Sequence, residues 1–299
     1  MFEYLGRRRI LVLGASGWLG RSLVRELQTQ GSQDHMLVAS RARQEVIGSQ
    51  NCHVEIFSMP KIRDFSPEVV INCAFLTKDK FKLHDVQEFI KINERLTSNF
   101  FETLSLPHVG LGVTISSGSA TLPSADSIEL NPYGYLKKLE QEQLLSLRSS
   151  TLTVGVARAW SLSGDLVTNP KTYALSDFVW QALTTGQITV NATSEVWRRY
   201  CDATEFLKLS LGAIITGRES IVDSGGPLVE LRELAHIVSE VVGGVEVSST
   251  SPVGISDIYA SNGQQYEQLC KEFGISIAPL SSQVHRVTRA FRGRLSDAT

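Results

Sequence analysis

Ile10-Leu11-Val12-Leu13-Gly14-Ala15-Ser16-Gly17-Trp18-Leu19-Gly20 is the stretch on which the reading of this chain turns. Four apolar residues form a strand pattern, and Trp18–Gln30 continues as a helix with Leu19, Leu23 and Leu27 on one face. Between them the glycines stand as G-x-x-G-x-x-G, not as G-x-G-x-x-G. The physics of the two spacings is the same. Glycine permits the tight turn and lets the backbone approach a pyrophosphate, and a helix N-terminus offers N–H groups and a positive dipole. Taken alone, the triplet is a glycine-rich strand-to-helix turn. Placed after the first strand of an alternating pattern, it points to a dinucleotide held by Gly14, Ser16, Gly17, Trp18, Leu19 and Gly20.

Outward from the loop, strand patterns recur at Met36–Ala39, His53–Phe57, Val69–Asn72, Val109–Ile115 and Leu152–Ala157. Helical patterns fall at Asp85–Leu104 and Tyr133–Leu147. Strands alternating with helices predict an α/β fold with a doubly wound parallel sheet, a Rossmann domain over residues 1–160. Pro, Gly, Ser and Thr then thicken between Ser161 and Thr172. Helices are expected at Ser176–Leu183, Thr204–Ile215 and Leu228–Val242, and a short strand at Ile221–Asp223. A segment near 200–224 is expected to return to the first domain. Residues 161–299 are expected to form mainly a smaller C-terminal α/β substrate lobe, with the site between the two. The last fifty residues carry no clear pattern.

The chain has 299 residues, 42% hydrophobic and 20% charged, which excludes a disordered polymer. Its 29 basic and 31 acidic residues leave a formal charge of −2, so no nucleic-acid partner is implied. Arg7, Arg8 and Arg9, and the later Arg286, Arg289, Arg292 and Arg294, read as solvated surface. Cys52, Cys73, Cys201 and Cys270 are scattered without a C-x-x-C pair, which argues against a metal site and for a reducing, cytoplasmic setting. The longest uncharged stretch, Thr103–Ala125, carries Pro107 and many serines, so no membrane span or membrane partner is expected. Ile10–Leu13 is too short for the apolar region of a signal peptide, and the sequon Asn191-Ala192-Thr193 is then idle.

The end of the second strand chooses between the nicotinamide cofactors. A ribose 2′-hydroxyl wants a carboxylate there; a 2′-phosphate wants a cation. The sequence is Ser40-Arg41-Ala42-Arg43, and Asp34 precedes the strand, on the wrong end of the sheet. Arg41 can pair with a phosphate through two N–H groups and Arg43 can assist. NADP(H) is favoured and NAD(H) is possible; the plainer reading is that both arginines face water.

A second constellation is Asn131-Pro132-Tyr133-Gly134-Tyr135-Leu136-Lys137-Lys138. Tyr133 and Lys137 share one helix face. A neighbouring ammonium lowers the phenol pKa from its usual ~10, so the phenol can exchange a proton with a carbonyl or alcohol. Tyr135 has Leu139 at the same spacing and is the poorer candidate. Y-x-x-x-K also arises by chance as a half-buried tyrosine beside a solvated lysine. The fifth strand runs into Ile115-Ser116-Ser117-Gly118, where carboxyl ends of strands face a ligand crevice. Ser117 is chosen over Ser116 to hydrogen-bond the reacting oxygen; the alternative is an ordinary capping serine.

Together these motifs resemble the extended short-chain dehydrogenase/reductases, the NAD(P)-dependent nucleotide-sugar epimerase/dehydratase family, from about Ile10 to Val242. Gly14–Gly20 matches the cofactor loop, and Ser117, Tyr133 and Lys137 match the catalytic triad, with Tyr133 and Lys137 also implied on the cofactor side. Val70-Ile71-Asn72-Cys73-Ala74 resembles the fourth-strand motif and Asn93 the helix asparagine, so Ala74 and Asn93 join the cofactor side. Val156-Ala157-Arg158 resembles the strand leading to the nicotinamide end. Arg198-Arg199-Tyr200 resembles the stretch whose arginine grips a sugar nucleotide's pyrophosphate; a surface arginine beside Trp197 is the plainer reading of Arg198. The family's dehydratases carry an Asp-Glu pair where this chain has Gly118 and Ser119, which disfavours dehydration. Ser117 and Tyr133 lie closer in sequence than is usual there, and Ala203-Thr204-Glu205 departs from the usual V-D-D. The resemblance implies an NADPH-dependent reduction of a keto group on a nucleotide-linked sugar, a 4-keto-6-deoxy sugar first. It also implies a possible homodimer through the two long helices. The rivals are a nucleotide-sugar epimerase with tightly bound NAD, a reductase of a non-sugar ketone and a non-catalytic dinucleotide sensor.

Overall fold

In a computed structural model, residues 5, 7–31, 36–40, 55–77 and 85–297 are described. The first half runs β1 (Ile10–Leu13), α1 (Trp18–Thr29), β2 (Met36–Ser40), β3 (Glu55–Ile56), α2 (Met59–Phe65), β4 (Val69–Asn72), α3 (Val86–Leu104), β5 (Leu111–Ser117), α4 (Pro132–Ser146) and β6 (Thr153–Ala159). The second half runs β7 (Ser161–Ser163), α5 (Ala174–Thr185), β8 (Gln187–Val190), β9 (Val196–Asp202), α6 (Ala203–Ile215), β10 (Ile221–Asp223), β11 (Leu228–Glu230), α7 (Leu231–Val242), β12 (Glu246–Ser249), β13 (Asp257–Tyr259), α8 (Gln264–Glu272) and α9 (Leu280–Ser296). The chain divides into two compact units, Met1–Ala159 with Leu207–Val222, and Trp160–Phe206 with Asp223–Thr299.

The first unit is built on a seven-stranded sheet ordered β10-β6-β5-β4-β1-β2-β3. The pairs from β6 through to β3 are all parallel. This is the doubly wound, Rossmann-like sheet that the alternation predicts. Every residue of β1, β4 and β5 is buried, as expected for parallel strands covered on both faces. Leu11, Leu13, Val70, Val154 and Val156 meet Phe100 and Leu104 of α3 and Leu144 of α4. Two glycines mark how closely helices approach the two faces. A Cβ on Gly112 would come 2.6 Å from Leu104, and one on Gly155 would run into the Ile214 side chain of α6. From β1 the chain steps outward through β2 and β3; from β4 it steps the other way through β5 and β6. The reversal lies between β1 and β4, and ligand crevices open at the carboxyl ends of strands at such a switch.

In the second unit β9 is flanked by β11 and β13 and also pairs with β7, while β8 pairs with β12. Helices α5, α7 and α9 pack together. Leu228–Val242 is not one helix. Leu228–Glu230 pairs antiparallel with β9, and the Glu230 side chain then accepts from Arg232 N–H and caps α7. The last fifty residues hold α8 and α9; α9 buries Leu280, Val284, Val287 and Phe291. Of the two arginine clusters, Arg7, Arg8, Arg289 and Arg292 are exposed, as expected of solvated surface, and the other three are engaged. Arg286 pairs with Asp202 at 2.7 Å, Arg294 donates to the carbonyls of Val167 and Asp165, and Arg9 donates to the Ser66 carbonyl and pairs with Glu68. Among the described residues no helix is long and apolar enough to cross a membrane.

Candidate active site

At the switch between β1 and β4 the glycine loop touches the loop after β4. Gly14 has φ +75°, and a Cβ there would stand 2.5 Å from the Ala74 Cα, so only glycine fits. A Cβ on Gly20 would lie 2.8 Å from the Ala15 Cα, so this glycine lets α1 seat directly on the loop. Gly14 N–H donates to the Ala39 carbonyl at 2.8 Å, and Cys73 N–H to the Leu13 carbonyl at 2.9 Å, which pins the loop between β2 and β4. The N-cap of α1 is Gly17; no side chain caps the helix and no acid stands in its first turn. Such an end suits a phosphate. Ser16 Oγ and Ser40 Oγ are 2.5 Å apart, which ties the loop to the end of β2. Arg41 and Arg43 lie outside the described residues.

Ala74 N–H donates to Asn72 Oδ1 at 3.0 Å. Asn93 is fully buried in α3; its Oδ1 accepts from Leu76 N–H at 2.7 Å and its Nδ2 donates to the Leu76 carbonyl at 3.3 Å. Asn93 therefore shapes the loop after β4 with both ends of its amide.

The strand β5 extends two residues beyond the expected Ile115 and carries Ser117 at its carboxyl end. Ser117 Oγ accepts from Ser119 N–H at 3.1 Å and opens a 3₁₀ turn over Gly118–Thr121. Ser116 Oγ is buried and has no hydrogen-bond partner among the described residues. Helix α4 begins with Pro132 after Asn131, whose Oδ1 caps Gly134 N–H at 2.9 Å and whose Nδ2 donates to Ser119 and Ser124 hydroxyls. This cap holds Tyr133 next to the turn that follows Ser117.

One turn along, Lys137 is buried. Its Nζ donates to the Ile115 carbonyl at 2.8 Å and pairs with Glu140 at 3.2 Å. The Phe75 ring lies against both members of the pair predicted from spacing. Its centroid is 3.8 Å from Lys137 Nζ, and it meets Tyr133 edge-on at 5.6 Å. Burial lowers the Lys137 pKa, while the Glu140 charge and hydrogen bond hold it up. Burial pushes the Cys73 thiol up to about 12, with Lys137 pulling the other way. Arg158 on β6 donates through Nε to Gln141 of α4 at 3.3 Å.

Arg198 belongs to the second unit, on β9. Its guanidinium pairs with Asp257 Oδ2 at 2.7 Å, donates to the Asp257 and Trp197 carbonyls, and faces the Tyr259 ring at 5.6 Å. Arg199 points elsewhere and donates to the carbonyls of Ser261 and Gly226. The plain surface reading of Arg198 is thus replaced by a half-buried, acid-paired arginine.

Sequence reasoning missed Glu140, Phe75 and Asp257. Glu140 sits three residues after Lys137, on its face of the helix, but in Lys-Lys-Leu-Glu-Gln-Glu it looks like one more solvated charge. Phe75 and Asp257 carry no sequence signal. No group of three or more metal-ligating side chains exists among the described residues.

Residues 10–221 match the model of the NAD dependent epimerase/dehydratase family. No curated protein matches the sequence. Solved structures share the fold at low identity. A GDP-mannoheptose C4 reductase from Campylobacter jejuni, with NADP bound, is 14% identical, with 96% of this chain and 98% of that one covered and a TM-score of 0.71. A UDP-glucose 4-epimerase from Thermotoga maritima, with UDP-glucose, is 19% identical, covering 96% and 99%, with a TM-score of 0.74. A dTDP-glucose 4,6-dehydratase double mutant from Streptomyces venezuelae is 17% identical, covering 96% and 98%, with a TM-score of 0.73. On the family match and the site residues that accompany it, the chain belongs to the NAD dependent epimerase/dehydratase family and is an NAD(P)-dependent enzyme of the extended short-chain dehydrogenase/reductase type.

Proposed function

We propose that the protein reduces a keto group on a nucleotide-linked sugar, most directly a 4-keto-6-deoxy sugar, with NADPH. The observation that carries the reading is the anchoring of Lys137 on the Ile115 carbonyl. That bond brings the first turn of α4, with Tyr133, against the carboxyl end of β5, where Ser117 stands. The cradle at Gly14 and Ala74 and the uncapped start of α1 fit a dinucleotide. Gly14, Ser16, Gly17, Trp18, Leu19, Gly20, Ser40 and Ala74 would hold it, and when bound it supplies the hydride. Tyr133 gives its proton to the carbonyl oxygen as a general acid. Lys137 favours the phenolate left behind and would hold the nicotinamide ribose by hydrogen bonds. Ser117 hydrogen-bonds the same oxygen as negative charge develops.

Gly118 and Ser119 follow Ser117, so no carboxylate is at hand there to remove a proton and expel a hydroxyl, which speaks against dehydration. Ser40 ends β2, and Arg41 and Arg43 follow it, a pattern that suits a 2′-phosphate. Arg198 supports a diphosphate-bearing substrate, which would exchange its own charge for that of Asp257. The unpaired thiols of Cys73, Cys201 and Cys270 support a reducing, cytoplasmic setting. Exposed Leu139 on α4 and exposed Leu147 at its C-cap support a homodimer through α3 and α4. The cofactor assignment is tested by denaturing the purified protein and identifying the released nucleotide by mass spectrometry. NADP(H) is expected, or an empty site that then binds NADPH better than NADH. Near-stoichiometric NAD(H) would replace the reductase with an epimerase that recycles its cofactor.

A further inference from the structure

The Lys137 and Glu140 side chains are 3% and 0% exposed, respectively. A lone ammonium in such a place is costly to keep charged and tends to lose its proton. Here the carboxylate is built in from three elements. Glu140 Oε1 meets Lys137 Nζ of α4 and accepts from the Thr114 hydroxyl of β5, and Oε2 accepts from the Thr97 hydroxyl of α3 at 3.0 Å. The two hydroxyls fix the carboxylate, and the carboxylate fixes the lysine. On the lysine side, the Ile115 carbonyl takes a second N–H and the Phe75 ring covers the ammonium. The other titratable groups around Lys137 are Cys73, from the loop after β4, and Tyr133, on its own helix. Arg158, from β6, is turned to Gln141.

We infer that Glu140 is the positioning residue of the site, a buried counter-charge that keeps Lys137 protonated and aimed. This rests on the reading that Lys137 acts with Tyr133. Glu140 is shut off from solvent behind Lys137, Thr114 and Thr97, so it acts through the lysine. The pair is neutral as a whole, so Glu140 sets both how strongly Lys137 pulls on the phenol and the pH at which that pull ends. Burial already lowers the lysine and Glu140 opposes it, so removal of the carboxylate moves its titration further down. Below its midpoint the lysine is charged and holds the phenolate; above it that help is lost.

The test uses the intact protein without ligand, with lysines carrying ¹³C at Cε. The Lys137 signal is identified by its loss in Lys137→Arg. In Glu140→Gln, which keeps the shape and removes the charge, the Lys137 midpoint is expected to fall by about one pH unit or more. In Glu140→Asp, which keeps the charge, it should stay within about half a unit of wild type. NADPH affinity, read by its fluorescence, should fall off at a correspondingly lower pH in the Gln variant. An unchanged Lys137 midpoint in Glu140→Gln with only a lower Tm would make Glu140 a structural brace and overturn the inference. The NMR midpoint needs neither cofactor nor substrate, so its failure is separable from a failure of the reductase reading. If Glu140→Gln does not fold, the Asp variant decides. A Lys137 midpoint displaced by a unit or more despite the retained charge would contradict the proposal.

Discussion

Tyr133 and Lys137 were legible as a pair because helical spacing alone puts them on one face. What spacing does not carry is the surroundings that make the pair usable. Glu140 is buried because α4 lies along β5 and brings it to Thr114, a fact of packing and not of local sequence. Phe75 is placed by the loop that Asn93 clamps. Replacing Tyr133 with Phe is expected to lower turnover at least about a hundredfold, the usual loss for a general acid, with NADPH binding retained. Steady-state rates and fluorescence titration check this, and a fully active variant would sink the assignment. Phe75→Leu removes the ring from Lys137 and should lower stability by about 1–2 kcal/mol, read by denaturant unfolding. No change there would mean that the ring only covers the ammonium.

Among elements, the strands and helices with long, strong patterns were readable, and β1, β4, α1 and α3 fall within a residue or two of expectation. The short strand Ile221–Asp223 was also readable, but other short elements were not. Leu228–Glu230 is apolar enough to continue a helix, and only pairing with β9 makes it a strand. β13 is a three-residue strand, too short to show an alternation. Two elements carry tests. Asn131 both caps α4 and reaches Ser119 and Ser124, so Asn131→Ala should cost about 1–2 kcal/mol and loosen Tyr133. A fall in Tm together with a fall in kcat is the expected pair of results; a lower Tm with an unchanged kcat would separate the cap from the site. In the second unit, burial and then the Asp202 charge raise the pKa of Glu205 above its ordinary 4.5. The folded state therefore holds that proton more tightly than the unfolded state. Its contribution to stability falls as pH rises from 4.5 through the folded value. The Tm of Glu205→Gln relative to wild type should accordingly climb between pH 4.5 and 7, as followed by thermal melts.

For the whole molecule, the Rossmann sheet and the glycine loop were legible from the N-terminal alternation, whereas the reaction is not a property of the fold. A reductase, an epimerase and a dehydratase match it with TM-scores of 0.71, 0.74 and 0.73. The choice among such activities lies in few side chains. In this chain Gly118 and Ser119 stand after Ser117, and Arg198 is held by Asp257. Arg198→Ala should raise KM for a nucleotide-diphosphate sugar about ten- to a hundredfold, the worth of a charge-assisted hydrogen bond, and leave kcat near wild type. An unchanged KM would favour a substrate without phosphates. The central claim is tested most directly by following NADPH absorbance while a nucleotide-linked 4-keto-6-deoxy sugar is added to wild type and to Tyr133→Phe. The account predicts one NADPH consumed per keto sugar reduced by wild type, and almost none by the variant. Inversion of a sugar centre with no net NADPH consumption, or equal rates in the two proteins, would contradict it.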